Sequence, residues 1–98
     1  MAQIKYAARA WQDLERIFEF YTGEDPELAS RIISLVIEAV EVLSAHPLIG
    51  RHAELGLREL VISSGRTGFV ALYRYRDDHE IVRIPAIRHQ REAGLRRL

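Results

Sequence analysis

Residues 69–87 read FVALYRYRDDHEIVRIPAI, and the fold turns on them. Two runs rich in β-branched and aromatic residues, Phe69 to Tyr75 and Glu80 to Ile87, flank RDDH, a turn composition short enough for a hairpin. A third run of the same kind, Leu57 to Ile62, precedes them across SSGRTG, whose serines and glycines mark a looser connection. Three successive antiparallel strands are expected.

Upstream the period lengthens. Trp11, Leu14, Ile17, Phe18 and Tyr21 recur at helical spacing between Ala8 and Tyr21, which predicts an amphipathic helix with Asp13, Glu15, Arg16 and Glu19 turned mostly to water. Thr22-Gly23 reads as its stop, because glycine accepts the left-handed conformation at a helix C-terminus. Asp25-Pro26 restarts the chain: aspartate caps, and proline is tolerated at the first helical position. A second helix from Pro26 to about Ala45 ends at His46-Pro47, since proline disfavours helical geometry in the residue before it. This helix is apolar around most of its circumference, so two sides are expected to be buried, within its own domain or partly against another chain. The short connection makes the two helices an antiparallel hairpin. Gln3 to Tyr6, where Ile4 and Tyr6 alternate with polar neighbours, is expected to pair at a sheet edge. The fold class is α+β: an N-terminal strand, an antiparallel two-helix hairpin, then three antiparallel strands, with the hairpin packed on one face of the sheet.

The 98 residues fit one domain, residues 1–98, with 48% apolar and 29% charged residues as in an ordinary soluble protein. Without cysteine there is neither a disulfide nor a thiolate metal site, and a reducing cytoplasm is the expected location. No apolar stretch has the length of a membrane span or of a secretory h-region. The net charge of zero hides an asymmetry: residues 1–49 carry four basic and eight acidic groups, and the remainder carries ten arginines against six acids. Lys5 is the sole lysine. Guanidinium groups favour planar, bidentate partners such as phosphate and carboxylate.

Four histidines, His46, His52, His79 and His89, have no metal-ligand spacing on one element. His46 reads as a helix cap and His79 as a solvated turn residue. No phosphate loop, nucleophile elbow or cysteine nucleophile is present. The constellation that stands out is basic: Arg74 and Arg76 on one strand, Arg83 on the next, then Arg88, His89, Arg91, Arg96 and Arg97 where that strand ends. Several of these could converge at one end of the sheet and attract phosphate or acidic protein. Tyrosines beside arginines also suit base stacking in single-strand binding, but Tyr6, Tyr21, Tyr73 and Tyr75 serve equally well at a core edge.

The stretches ARAWQDLERIFEFY (8–21), LSAHPLIGR (43–51), LRELVI (57–62) and FVALYRYRDDHEIVRIPAIRHQRE (69–92), in this order and spacing, resemble the RelE/ParE superfamily of toxins from type II toxin–antitoxin modules. The resemblance implies a cytoplasmic toxin without cofactor or metal, neutralised in a hetero-oligomer by a cognate antitoxin whose partly disordered segment folds as it binds. Leu35, Ile37 and Val42 of the second helix supply a candidate antitoxin surface. Two activities compete. Ribosome-dependent mRNA cleavage would use cations on the phosphate and a general acid or base. Val70 stands where such enzymes carry an arginine and Leu95 where a tyrosine could sit, leaving His89 as the residual acid/base group. The other branch, ParE-like, acts by binding DNA gyrase; there Arg83, Arg88, His89 and Arg91 would form a docking surface. The gyrase branch fits better. A third reading is a non-toxic copy that only binds its antitoxin.

Overall fold

The computed structural model describes residues 1–64 and 67–90, with only the backbone of Ser64. Strand β1 (Gln3–Tyr6) is followed by helices α1 (Ala8–Thr22) and α2 (Pro26–Ala45). Then come a two-residue strand β2 (Arg51–His52), a tight turn at Glu54–Gly56, and strands β3 (Arg58–Ser64), β4 (Thr67–Arg76) and β5 (Ile81–His89). The five strands form one sheet in the order β1-β5-β4-β3-β2. β3, β4 and β5 are antiparallel neighbours as expected, and β1 lies at an edge, paired in parallel with β5. β2 lies between α2 and β3, where no strand was expected, and closes the other edge against Glu59 and Arg58.

Both helices pack on one face. From α1, Ala10, Leu14, Ile17 and Tyr21 are buried, and from α2, Ala29, Ile32, Val36, Val40 and Leu43, each set at the three-to-four residue spacing of a helix stripe. They meet Ile62, Phe69, Ala71, Tyr73, Val82, Ile84 and Ile87 from the sheet. A fully buried aliphatic side chain of this kind contributes about 1.5–3 kcal/mol. The α2 start is as expected: the Asp25 carboxylate accepts from the Glu27 N–H at 3.0 Å, with Pro26 opening the helix.

Gly23 and Asp13 depart from expectation. Gly23 has φ −60°, in the right-handed region, and its N–H still bonds the Glu19 carbonyl, so α1 unwinds through a further turn instead of a left-handed glycine stop. Asp13, expected toward water, is 2% exposed. Its reason lies in the sheet. β1 pairs with β5 only as far as Ile84, so beyond that point β5 has an edge with nothing alongside. The Ile87 N–H donates to Asp13 Oδ2 at 2.9 Å, while Arg16 Nη2 stands 3.1 Å from Oδ1 and offsets the charge. A side chain from α1 thus replaces the missing strand.

The neighbouring Trp11 ring packs on Tyr6, centroids 4.6 Å apart. The buried Tyr6 hydroxyl makes no hydrogen bond among the described residues. Burial, with the Glu41 carboxylate adding to it, pushes the phenol from 10.0 up to about 12.

Asp13→Ala strands the Ile87 N–H in the interior and is expected to lower stability by about 1–3 kcal/mol in urea unfolding. The raised Tyr6 value predicts an alkaline transition. Between pH 10 and about 12 the unfolded chain loses this proton while the folded chain keeps it, so stability is complete below pH 10 and falls as pH rises through the window. Tyr6→Phe flattens that fall in unfolding measured against pH.

Candidate binding face on the open side of the sheet

Strand alternation divides the sheet residues between two faces. Leu60, Ile62, Phe69 and Ala71 point to the helices; their neighbours Glu59, Val61, Val70 and Leu72 therefore point to the open side. On β5 a one-residue bulge intervenes. Leu72 pairs with Ala86 and Arg74 with Arg83, so Tyr73 faces both Ile84 and Pro85. Proline has no N–H to place in a ladder, which makes the bulge its natural position. The consequence is that Arg83 and Arg88, five residues apart, share the open face, where strict alternation would separate them. Arg83 lies opposite Arg74 and Arg88 opposite Val70. Their partners Arg74 and Val70 stand four residues apart on β4, so about 13 Å of strand separates Arg83 from Arg88.

His89 goes the other way. It pairs with Phe69 on the helix side, its ring edge-on to Phe69 with centroids 5.5 Å apart, and Phe69 meets Tyr21 in turn. The sheet itself stands between the His89 imidazole and the Arg88 guanidinium. Arg76 is turned to the hairpin end, where its Nη2 lies 3.2 Å from Asp78. Arg91, Arg96, Arg97 and Leu95 fall outside the described residues, as do Gly65 and Arg66 of the looser connection.

An open concavity of about 860 Å³ occupies this face, with Arg51, His52, Glu59, Val70, Leu72 and Arg88 among its lining and the turn around Leu55 as its rim. Glu59 is buried, and Arg51 Nε donates to its Oε1 at 2.9 Å. His52 and Arg51 were missed in the sequence because a two-residue strand gives no periodicity to read. Among the described residues no group of three or more histidine or acidic side chains could hold a metal ion.

The loop that leads into β2, residues 47–50, is held by two buried or half-buried side chains from the strands. Tyr73, fully buried, accepts from the Gly50 N–H and donates to the Pro47 carbonyl, both at 2.8 Å. Arg58 Nη1 donates to the carbonyls of Leu48 at 3.2 Å and Gly50 at 2.8 Å. Burial raises the Tyr73 phenol, while the Gly50 N–H and Arg58 oppose the rise. A Cβ at Gly50 would lie 2.6 Å from the Tyr73 ring and 2.8 Å from the Glu59 carbonyl, so this close approach requires glycine. Farther along, Arg74 Nη2 donates to the Leu55 carbonyl at 2.8 Å. Leu55 has φ 61°, ψ 31°, a conformation that costs a side chain with a Cβ about 1–2 kcal/mol.

The helix layer presents a different surface. Trp11 (47%), Phe18 (39%), Phe20 (70%) and Val42 (44%) are exposed. Trp11 and Phe18 were expected in the apolar stripe of α1; only the Leu14, Ile17 and Tyr21 part of that stripe is buried. On α2, Leu35 and Val42 are seven residues apart and line one edge of the buried stripe, whereas Ile37 lies on the other edge. Leu35 packs partly against the core.

A two-helix layer on one face of a mixed, mostly antiparallel five-stranded sheet is the architecture of the RelE/ParE class of toxins. The family described as the ParE toxin of type II toxin–antitoxin system, parDE, matches residues 4–94, and the chain belongs to that family. Toxin RelE3 of Caulobacter vibrioides is 34% identical over 92 residues, 94% of this chain and 98% of that protein. Among solved structures, a chromosomal ParDE system from P. aeruginosa superposes with a TM-score of 0.77 at 28% identity, covering 91% of this chain and 96% of that one. The RelBE2 toxin–antitoxin complex from Mycobacterium tuberculosis gives 0.59 at 25% identity over 90% and 96%.

Tyr73→Phe removes the hydroxyl that serves both Gly50 and Pro47. Stability is expected to fall by about 1–3 kcal/mol, and limited proteolysis is expected to cut at Leu48, 61% exposed, faster than in the parent.

Proposed function

We propose that the chain is the toxin of a type II pair and acts by binding DNA gyrase, with the open sheet face as its docking surface. Arg83 and Arg88 are the main contacts, Arg91, which follows them in the sequence, is a further one, and the helix layer takes the cognate antitoxin in a hetero-oligomer. The observation that carries binding over cleavage is the strand register. A nuclease built on His89 needs its imidazole beside the phosphate-holding arginine, and the register turns His89 and Arg88 to opposite faces. Likeness to the ParDE structure, higher than to RelBE2, supports the same branch. For the antitoxin, a segment that wraps α2 reaches Leu35 and Val42 on one edge and Ile37 on the other. The exposed Trp11 and Phe18 add apolar surface on one flank of α1, and Phe20 on the other.

One observation favours the ribosome-dependent nuclease: His52, exposed, lines the same concavity as Arg51 and Arg88. Two measurements separate the readings. Expression without antitoxin, followed by purified gyrase supercoiling and by mapping of mRNA ends, distinguishes gyrase inhibition, messenger cleavage and a non-toxic antitoxin-binding copy. Charge reversal at Arg83 and Arg88 together is expected to abolish growth arrest while antitoxin capture persists. Retained arrest would make the arginines a solvated rim. His52→Ala leaves a gyrase inhibitor active, whereas loss of a general acid or base costs a nuclease about 10²-fold or more.

A further inference from the structure

We propose that Leu55 is a built contact for the target: a single apolar tip that enters an apolar socket on an acidic protein surface. Leu55 is 83% exposed and lines the concavity of the open face. Its backbone sits at φ 61°, where asparagine, aspartate or glycine is the ordinary occupant. Gly56 follows at φ 73°, with room for a Cβ only 3.3 Å from Arg74 Nη1. In the free chain a leucine here buries almost nothing and strains the backbone, so neither packing nor conformational preference accounts for it. Strain at an exposed position, maintained by a dedicated clamp, points to a use outside the fold.

Arg74 is that clamp. It stands on the open face opposite Arg83 and reaches 2.8 Å to the Leu55 carbonyl, so it is a positioning residue for the tip. The chemistry of the partner follows from the surroundings. An aliphatic tip offers nothing to a phosphate backbone but fills a socket in a protein, and the guanidinium of Arg88 on the same concavity, with that of Arg83 farther along the open face, matches carboxylates around that socket. The inference rests on the reading of the open face as the gyrase-binding surface.

The test titrates toxin into a gyrase supercoiling assay and measures urea unfolding of the same samples. Leu55→Asn suits the left-handed backbone, so its unfolding midpoint is expected to equal or exceed that of the parent, while half-inhibition shifts to roughly 10-fold higher concentration or more. Arg74→Met, which frees the turn, is expected to weaken inhibition as well, and the double variant to be no weaker than Leu55→Asn alone. Unchanged inhibition by Leu55→Asn overturns the proposal, as does inhibition lost together with stability, which marks a structural residue. Single-variant effects that multiply in the double variant would make Arg74 an independent contact and overturn the clamp. A photo-crosslinking side chain at position 55 that joins DNA instead of gyrase protein would also overturn it. Failure of the parent toxin to inhibit gyrase is a separate result, and removes the reading beneath the inference.

Discussion

The phase of the last strand governs what this molecule can do with its arginines. A strand places side chains on alternate faces, so residues an odd number of positions apart diverge. Arg83 and Arg88 would diverge by that rule, and Arg83 would instead share its face with His89. The bulge at Ile84-Pro85 reverses the phase. It brings Arg88 round to the open side and sends His89 to the Phe69 ring on the helix side. One extra residue, located where proline's missing N–H makes a regular ladder impossible, thereby selects a guanidinium surface over a guanidinium–imidazole pair.

The same strand shows how the two layers are joined. β5 lies between a long antiparallel neighbour and the four residues of β1, so half of one side is left without a strand. Asp13 supplies an acceptor there from α1. A carboxylate 2% exposed would be costly alone; a backbone donor and Arg16 together offset that cost. The orientation of α1 over the sheet is accordingly set by a directional bond as well as by the apolar stripe of Leu14, Ile17 and Tyr21.

The elements of the fold were legible because their signals are periodic. Both helices and all three antiparallel strands lie where apolar spacing and turn composition place them, and the Asp25-Pro26 start of α2 is as the residues predict. What was illegible depends on tertiary partners. Asp13 looks like any solvent-facing acid until the end of β1 exposes the Ile87 N–H beside it. Gly23 carries the composition of a left-handed cap but continues right-handed, because the next residues bond back to Tyr21 before Asp25 opens α2. Trp11 and Phe18 obey the helical period yet remain partly exposed, at the edge of the stripe that Leu14, Ile17 and Tyr21 bury. At the site, Arg83 and Arg88 were recognisable as basic residues, but their common face was not, because alternation counted from the sequence gives the opposite answer. Pro85 was the available signal: a proline inside a strand-like run marks a bulge or an edge.

The abundance of arginine also has an explanation that composition conceals. Arg58 bridges two loop carbonyls, Arg74 holds the carbonyl of a strained leucine, Arg51 neutralises buried Glu59, and Arg16 does the same for Asp13. Each task suits a planar donor fork with several N–H groups better than a single ammonium. Two arginines of the second half, Arg58 and Arg74, are therefore committed to holding loops 47–50 and 54–56 against the sheet. Arg83 differs: it is exposed and forms no ion pair among the described residues. The loops beside this face are tied down before it meets anything, 47–50 by Tyr73 and Arg58 and 54–56 by Arg74. Rigidity reduces the entropy lost on association, so even a shallow, open surface can bind with useful affinity when a few cations and one apolar tip are held in place.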